Sequence, residues 1–579
     1  MKFPSAAPWL AVALTIAVHA TGLFVPFIAW DDPYYVTESE RTARPGLDGF
    51  LNLWTLDDVA RGATLEFFPL RDVVYWGLFQ AFGKSAFAFH CANLFFHALA
   101  VLALGALARR LRVTQGVALW GCLLFAAHPI HVESVAWVSA LKDPMFASAA
   151  FASLLAFAAY RETKKPWHYA MSLFLLVGSL LVKGTALGVP WVMLAMDRTR
   201  APNVPWSTTL RRVSGPFVIA GLFIVQMVSV SRYAGAITPP HGGSWGQHAF
   251  LGAWAFVRYV QQAFVPATFR LHYCFERLER ALDARLVIIV LGALAGAFSL
   301  WRFRKNSFVV LGATAFVAFL LPVMNFVPHP TVMNDRYLYA SSAVASFALA
   351  ALLLSLPGAV GQRAQVAAVA IFGATTAWRG VFWQDPHNLW AEAAQQTACL
   401  KDDSEVTAAM YLNHGFGSAD VDVALTSFAR AIEGPGYAHL PLPTQCSQYR
   451  AVIDFSMKAQ RWDESRAFTK AATQTCGHVA DLWLSHAEVL LPVDAIGAKA
   501  AAESAMRLKP DVRALWLRGQ AKVSLGDVSG RDDVVRALRS KPKRLCGHYV
   551  AWRASVGNSE PEAWAETDAL CRGPSSREF

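Results

Sequence analysis

The chain has 579 residues, of which 55% are hydrophobic and only 16% charged, with a mean hydropathy of +0.33. Soluble globular domains carry about 25% charged residues, so this composition excludes an ordinary soluble enzyme and points to a multi-pass membrane protein. The net charge of +11 does not indicate nucleic-acid binding: from Arg379 onward 23 Lys and Arg face 24 Asp and Glu, and the surplus of 29 over 17 lies in the short loops of the apolar part, where membrane orientation requires it.

The first segment, Pro8 to Trp30, holds no charged residue and is long enough to span a bilayer, which takes about 20 residues. Val18-His19-Ala20 has the small-residue pattern of a signal cleavage site, but the apolar run continues ten residues past it, so an uncleaved first span is expected. It ends on "IAWDDPYYV" (28–36), with two adjacent carboxylates, Asp31 and Asp32. Further apolar stretches lie near 86–108, 115–127, 144–160, 169–182, 184–197, 213–230, 286–301, 307–324, 340–356 and 364–381, giving about eleven spans. Segment 231–285 is mixed and reads as an outer loop with an amphipathic interfacial helix.

Basic clusters at Arg109 to Arg112, Arg161 to Lys165, Arg198 to Arg212 and Arg302 to Lys305 all become cytoplasmic if the N-terminus is inside. Eleven spans then place everything after about Arg379 outside. The expected division is a transmembrane domain over 1–381 and an outward-facing, periplasmic domain over 382–579, in a bacterial inner membrane. On this topology the outer loops carry the unusual polar residues: "WDDPYYV", "FFPLRD", "AHPIHVESVAWVSALKD", "LVKG" and "MNDRYLY". Ionisable groups beside hydrocarbon are costly and mark function.

Two neighbouring carboxylates at a low-dielectric boundary repel, which suits a general base or, alternatively, a divalent-cation ligand pair. A helix cap is the bland reading of Asp31 and Asp32. Arg336, Lys183 and Lys142 sit on the outer side, opposite to the side that snorkelling cations prefer, and are suited to a lipid-phosphate leaving group. His128, His131 and Glu133 form a compact cluster, read as sugar or phosphate contacts in preference to a metal site. His90 and His97 read as helix–helix polar contacts. No Cys/His zinc spacing, nucleotide-binding glycine loop or Ser/His/Asp pattern occurs. An outer-face enzyme has no cytosolic nucleotide sugar and must use a donor already in the membrane.

From about residue 386 the composition becomes that of a soluble helical domain. Trp483 and Trp516 are 33 apart, and Ala472, Ala505 and Ala537 recur at 33 and 32, a period that reads as tetratricopeptide-like helical hairpins able to bind an acceptor or partner protein. Of eight cysteines, Cys91, Cys122 and Cys274 lie in the membrane part; Cys399, Cys446, Cys476, Cys546 and Cys571 follow, and an oxidising compartment permits one or two disulfides among them.

"WDDPYYVTESE", "FFPLRDVVYW", "FHCANLFFHALA", "FAAHPIHVESVAWVSALKDP", "LLVKGTALGVP" and "NDRYLYASS", in this order, resemble the tetratricopeptide-containing, O-mannosyltransferase-like glycosyltransferases of the GT-C superfamily. The resemblance implies a mainly α fold and transfer of a sugar, such as mannose, from a polyprenyl phosphate, with inversion, to an acceptor hydroxyl outside the membrane. That acceptor is expected to be Ser or Thr of exported proteins. On that mapping Asp32 is the base and Asp31 tunes it. Arg336, Lys183, Lys142 and Arg71 hold the donor phosphate, and His128, His131, Glu133, Asp335 and Tyr337 complete the substrate site. The polyprenyl-phosphate sugar is expected as donor substrate, with no cofactor assigned and a divalent cation as the less favoured alternative. The chain departs from the family pattern where Asp335-Arg336-Tyr337 replaces Glu-Arg-Tyr and where Gly184 stands in place of a Glu after Lys183. Glycosylation of a lipid or polysaccharide, and a non-catalytic membrane scaffold, are the alternative readings.

Overall fold

The computed structural model describes all residues except 1–6, 29, 57–65, 234–236, 238–239, 272, 274, 280–282, 329–330, 395–404, 439, 441, 557–560 and 573–579. Cys274 and Cys399 therefore lie outside the described residues. Every regular element among the described residues is helical. The chain divides into two compact units, Met1–Asp402 and Asp403–Phe579, so helix Pro386–Ala394 belongs to the first.

Each of the eleven apolar stretches coincides with a helix, but the helices differ in length. Among the described residues, six helices are long and apolar enough to cross a membrane: Ala86–Arg110, Val138–Thr163, Trp206–Tyr233, Ala284–Arg302, Asp335–Leu354 and Ala359–Trp383. Gln115–Ala126 and Pro129–Ala136 would add a seventh as one span bent by 41°. Pro8–Phe24 and Ser307–Val323 are shorter. The first apolar run stops being helical early: its α-helix ends at His19, a tighter turn runs to Phe24, and the chain then extends through Pro26.

Helix Lys142–Thr163 is central, flanked by Ala86–Arg110 and Pro166–Leu180. In lipid, apolar surface alone does not draw helices together; small side chains and interhelical hydrogen bonds do. Ala147, Ala150 and Ala158 are accordingly buried at this core. Ser153 and Ser172 each donate a hydroxyl to the other's carbonyl, at 2.7 and 2.9 Å. Gly188 passes so close to a neighbouring helix that a Cβ there would meet the Ala318 carbonyl oxygen at 2.4 Å.

The amphipathic helix expected in segment 231–285 forms over Trp245–Phe264. Its apolar face is not left for lipid: Leu251, Ala255, Tyr259 and Ala263 are buried, and Ala255, Tyr259 and Ala263 cluster with Ile130, Leu320, Met333 and Leu338. That packing seats the 333–339 segment, and the Asn334 N–H donates to the Tyr259 hydroxyl at 3.2 Å.

In the second unit, successive helices from Trp462 to Ser540 each pack on the next. Ala472, Ala505 and Ala537, the recurring alanines, are fully buried at these crossings. Asp420, Asp494 and Asp511 cap helix starts, for example Asp494 accepting from the Gly497 N–H at 2.9 Å. Disulfides join Cys446 to Cys476 and Cys546 to Cys571, while Cys91 and Cys122 in the first unit are free. Closing a loop of 30 residues is worth about 3.5 kcal/mol on chain-entropy grounds. Replacing Cys446 and Cys476 together by Ser should therefore lower the urea midpoint of the second unit's tryptophan transition. Non-reducing peptide mapping of protein isolated without reductant should recover both linked pairs, and free thiols at all four positions would contradict them.

Candidate active site

The acidic pair sits where the extended chain after Phe24 turns at Trp30 and Asp31. Asp32 is fully buried. Its Oδ2 accepts the Ile28 N–H at 2.7 Å, and its Oδ1 accepts the Ser139 N–H at 3.0 Å and the Ser139 hydroxyl. It thereby pins the first polar loop to the turn ahead of helix Lys142–Thr163. Burial pushes the Asp32 carboxyl up to about 7, against the hydrogen bonds from Ser139 and Ile28, with Asp31 adding to the rise. Asp31 is half-buried, and no described side chain or N–H bonds to its carboxylate. Burial raises it, while the charges of Lys142 and Arg336 oppose the rise.

A second cluster begins at Glu66. Lys142 Nζ donates to both Glu66 oxygens at 2.9 Å, Arg71 Nη1 at 2.7 Å, and the Tyr35 hydroxyl at 3.1 Å. Burial alone would raise the Glu66 carboxyl, but Lys142 and Arg71 hold it well below the usual carboxylate range. Arg71 is completed by Asp72 at 2.8 Å and lies 4.1 Å over the Tyr35 ring. Asp72 also meets Arg41 at 3.5 Å.

On the other side of the same turn, Glu133 accepts the Arg336 N–H at 2.9 Å and its guanidinium, and that guanidinium lies 4.9 Å over Trp137. Lys183, in extended backbone between two helices, is ion-paired with Asp143 and 5.3 Å from the Tyr337 ring centre. Burial lowers the Lys183 value and Asp143 opposes it. Trp30 stacks on Trp390 at 4.8 Å and meets Trp137 edge-on at 6.4 Å, forming an aromatic wall beside the acidic pair.

The expected residues thus fall into two groups. Asp31, Lys142, Arg336, Arg71 and Lys183 share this polar centre. His128 and His131 are fully buried behind it: His128 Nε2 meets the Ala263 carbonyl at 3.1 Å, its Nδ1 accepts the Ile130 N–H, and His131 Nε2 meets the Ser342 hydroxyl at 2.8 Å. Glu133 serves Arg336. Asp335 is buried and accepts the Tyr273 hydroxyl at 2.6 Å, and the Tyr337 hydroxyl lies 3.1 Å from that of Thr331. His90 and His97 do bridge to other segments, His90 to the Val25 carbonyl at 2.8 Å and His97 to Tyr339.

Three functional partners escaped the sequence reading. Glu66 stands one residue before "FFPLRD", an isolated carboxylate ahead of an apolar run. Ser139 gave no signal, since a serine inside a polar loop is unremarkable. Asn93, the polar residue between His90 and His97, donates to the Trp137 carbonyl at 2.7 Å and sets the turn that carries Ser139. Among the described residues, no three His, Cys, Asp or Glu side chains converge as metal ligands would.

No protein-family model matches the chain. Over 129 residues it is 33% identical to the human and mouse proteins named protein O-mannosyl-transferase TMTC1. The match covers 20% of this chain and 14% and 13% of those relatives' own lengths. The chain is a helical membrane protein with partial similarity to a glycosyltransferase.

Proposed function

We propose that the protein is an inverting glycosyltransferase of the GT-C kind. It takes a sugar, mannose by analogy with its relatives' name, from a polyprenyl phosphate and passes it to a protein hydroxyl on the outer face. The observation that carries this reading is one carboxylate, Asp31, which no described side chain or N–H bonds and which lies within the fields of Lys142, Arg336 and Arg71. Partial similarity to O-mannosyl-transferases supports the reaction class. Eleven spans, an inside N-terminus and an outside, tetratricopeptide-like second unit complete the proposal; the two disulfides of the second unit support its placement in an oxidising compartment.

In the proposed reaction the acceptor hydroxyl gives its proton to Asp31 while its oxygen attacks the anomeric carbon from the face opposite the phosphate. The bond from that carbon to the phosphate oxygen breaks, and its electron pair leaves with the polyprenyl phosphate. Arg336 and Lys142, the cations whose charges act most strongly on Asp31, stabilise the added negative charge. Arg336 is aimed by Glu133 and Trp137, and Lys183 and Arg71 support the donor side from deeper positions. This gives Asp31 the part first expected of Asp32. A base must reach substrate, and the oxygens of Asp32 are buried and already accept three hydrogen bonds. Asp32 is a positioning residue in this scheme.

The purified protein, offered a panel of polyprenyl-phosphate sugars with Ser- and Thr-containing peptides, should glycosylate peptide with one of them, as read by mass spectrometry. Asp31→Asn should slow transfer on the order of 10²–10⁴-fold with donor affinity retained, whereas Arg336→Ala should weaken donor binding and transfer together. Full activity in Asp31→Asn would exclude it as base.

Asp32 should show itself in stability. Its carboxyl ionises near 3.9 in an unfolded chain and near 7 here, so the folded state holds the proton more tightly. That contribution is complete below about pH 4 and is lost as the pH rises through 7. Asp32→Asn places an amide N–H against a backbone N–H and should melt at lower temperature than wild type in detergent. The gap should narrow between pH 5 and pH 8; a constant gap would mean that Asp32 does not titrate in the fold.

A further inference from the structure

Glu66 is the part of the centre that the proposed reaction leaves unused, and it stands where an anion would. Paired oxygens surrounded by an ammonium, a guanidinium and a phenol hydroxyl reproduce the donor set that phosphate takes. The centre is also already neutralised. Arg41, Arg71, Lys142, Lys183 and Arg336 are each ion-paired with Glu66, Asp72, Asp143 or Glu133. A phosphate entering such a site must displace a carboxylate or be repelled by it.

Exposure decides which carboxylate yields. The Glu66 side chain is 33% exposed, against 7% for Asp72, 3% for Glu133 and 0% for Asp143. Glu66 also precedes helix Pro69–Phe82, so its side chain can turn away without unwinding a helix. Among the site's cations, Arg336 and Lys142 are the most exposed, at 13% and 10%. The carboxylate that water reaches therefore covers one of the two cations that water reaches.

We propose that Glu66 is an internal stand-in for the donor phosphate. It occupies the anion position between Lys142 and Arg71 while the donor is absent, and withdraws when the phosphate arrives. After transfer it returns to Lys142 and helps expel the polyprenyl phosphate, which then carries one more negative charge than the donor did. The inference rests on the glycosyltransferase reading and adds to it a competition for the cations. A purely structural Glu66, holding Lys142 and Arg71 in place, makes the opposite prediction, because its loss would disorder the phosphate site.

The test is binding of farnesyl phosphate in detergent by isothermal titration, with wild type, Glu66→Gln, Tyr35→Phe and Arg336→Ala compared and folding checked by thermal melting. Glu66→Gln should bind about tenfold more tightly than wild type, equivalent to about 1.4 kcal/mol. Tyr35→Phe keeps the ring beneath Arg71 but removes one hydrogen bond to Glu66, and should bind more tightly by a smaller factor. It carries the test alone if Glu66→Gln does not fold. Unchanged or weaker binding in these variants, with Arg336→Ala still weakening it, overturns the stand-in and leaves the transferase reading in place. No binding of farnesyl phosphate to any of the four proteins overturns both.

Discussion

A charge removed from water beside hydrocarbon is tolerated only when an opposite charge or several hydrogen bonds meet it, and that constraint organises the polar centre. Four carboxylates, Glu66, Asp72, Glu133 and Asp143, hold five cations. Asp32 is met by N–H groups and a hydroxyl in place of a cation. Asp31 alone of these acids has no such partner among the described residues. An acid left unpaired in a site where every neighbour is paired is suited to exchange protons with a substrate.

Positioning follows from the helices beneath. Small residues and serine bridges bring Ala86–Arg110, Lys142–Thr163 and Pro166–Leu180 together, and their ends deliver Lys142, Asp143 and Lys183 to one place. Asn93 fixes the Trp137 turn, that turn presents Ser139 to Asp32, and Asp32 in turn holds the loop that carries Asp31. The chain of contacts gives Asn93, deep in an apolar helix, an influence on the site without touching it. Helix Trp245–Phe264 does the same for Arg336 by seating the 333–339 segment.

Much of this was legible in the sequence because membrane helices announce themselves by continuous apolarity, and the loops between them are where unusual polar residues stand out. Asp31, Lys142, Lys183 and Arg336, which the reading of the loops grouped together, do lie near one another. What stayed hidden was the division of labour between adjacent aspartates. Sequence shows two identical side chains, and only the path of the backbone through Pro26 decides which faces Ser139. The two histidines of "HPIHVES" misled for a related reason: the loop folds back into the bundle, so residues counted as outer-face polar groups became buried and internally bonded. Helix ends were equally hard to place, since His19 and Pro26 break an apolar run that composition reads as continuous. In the second unit the 32–33 spacing of Ala472, Ala505 and Ala537 was readable because close helix crossings admit only small side chains.

The most direct test of the central claim is an electron cryomicroscopy structure in lipid nanodiscs with a polyprenyl phosphate bound. The phosphate should contact Lys142, flanked by Arg336 and Arg71, with the Asp31 carboxylate facing the position of the anomeric carbon and Asp32 still closed on Ser139. A phosphate bound elsewhere in the bundle, or Asp31 turned into an ion pair away from it, would contradict the account.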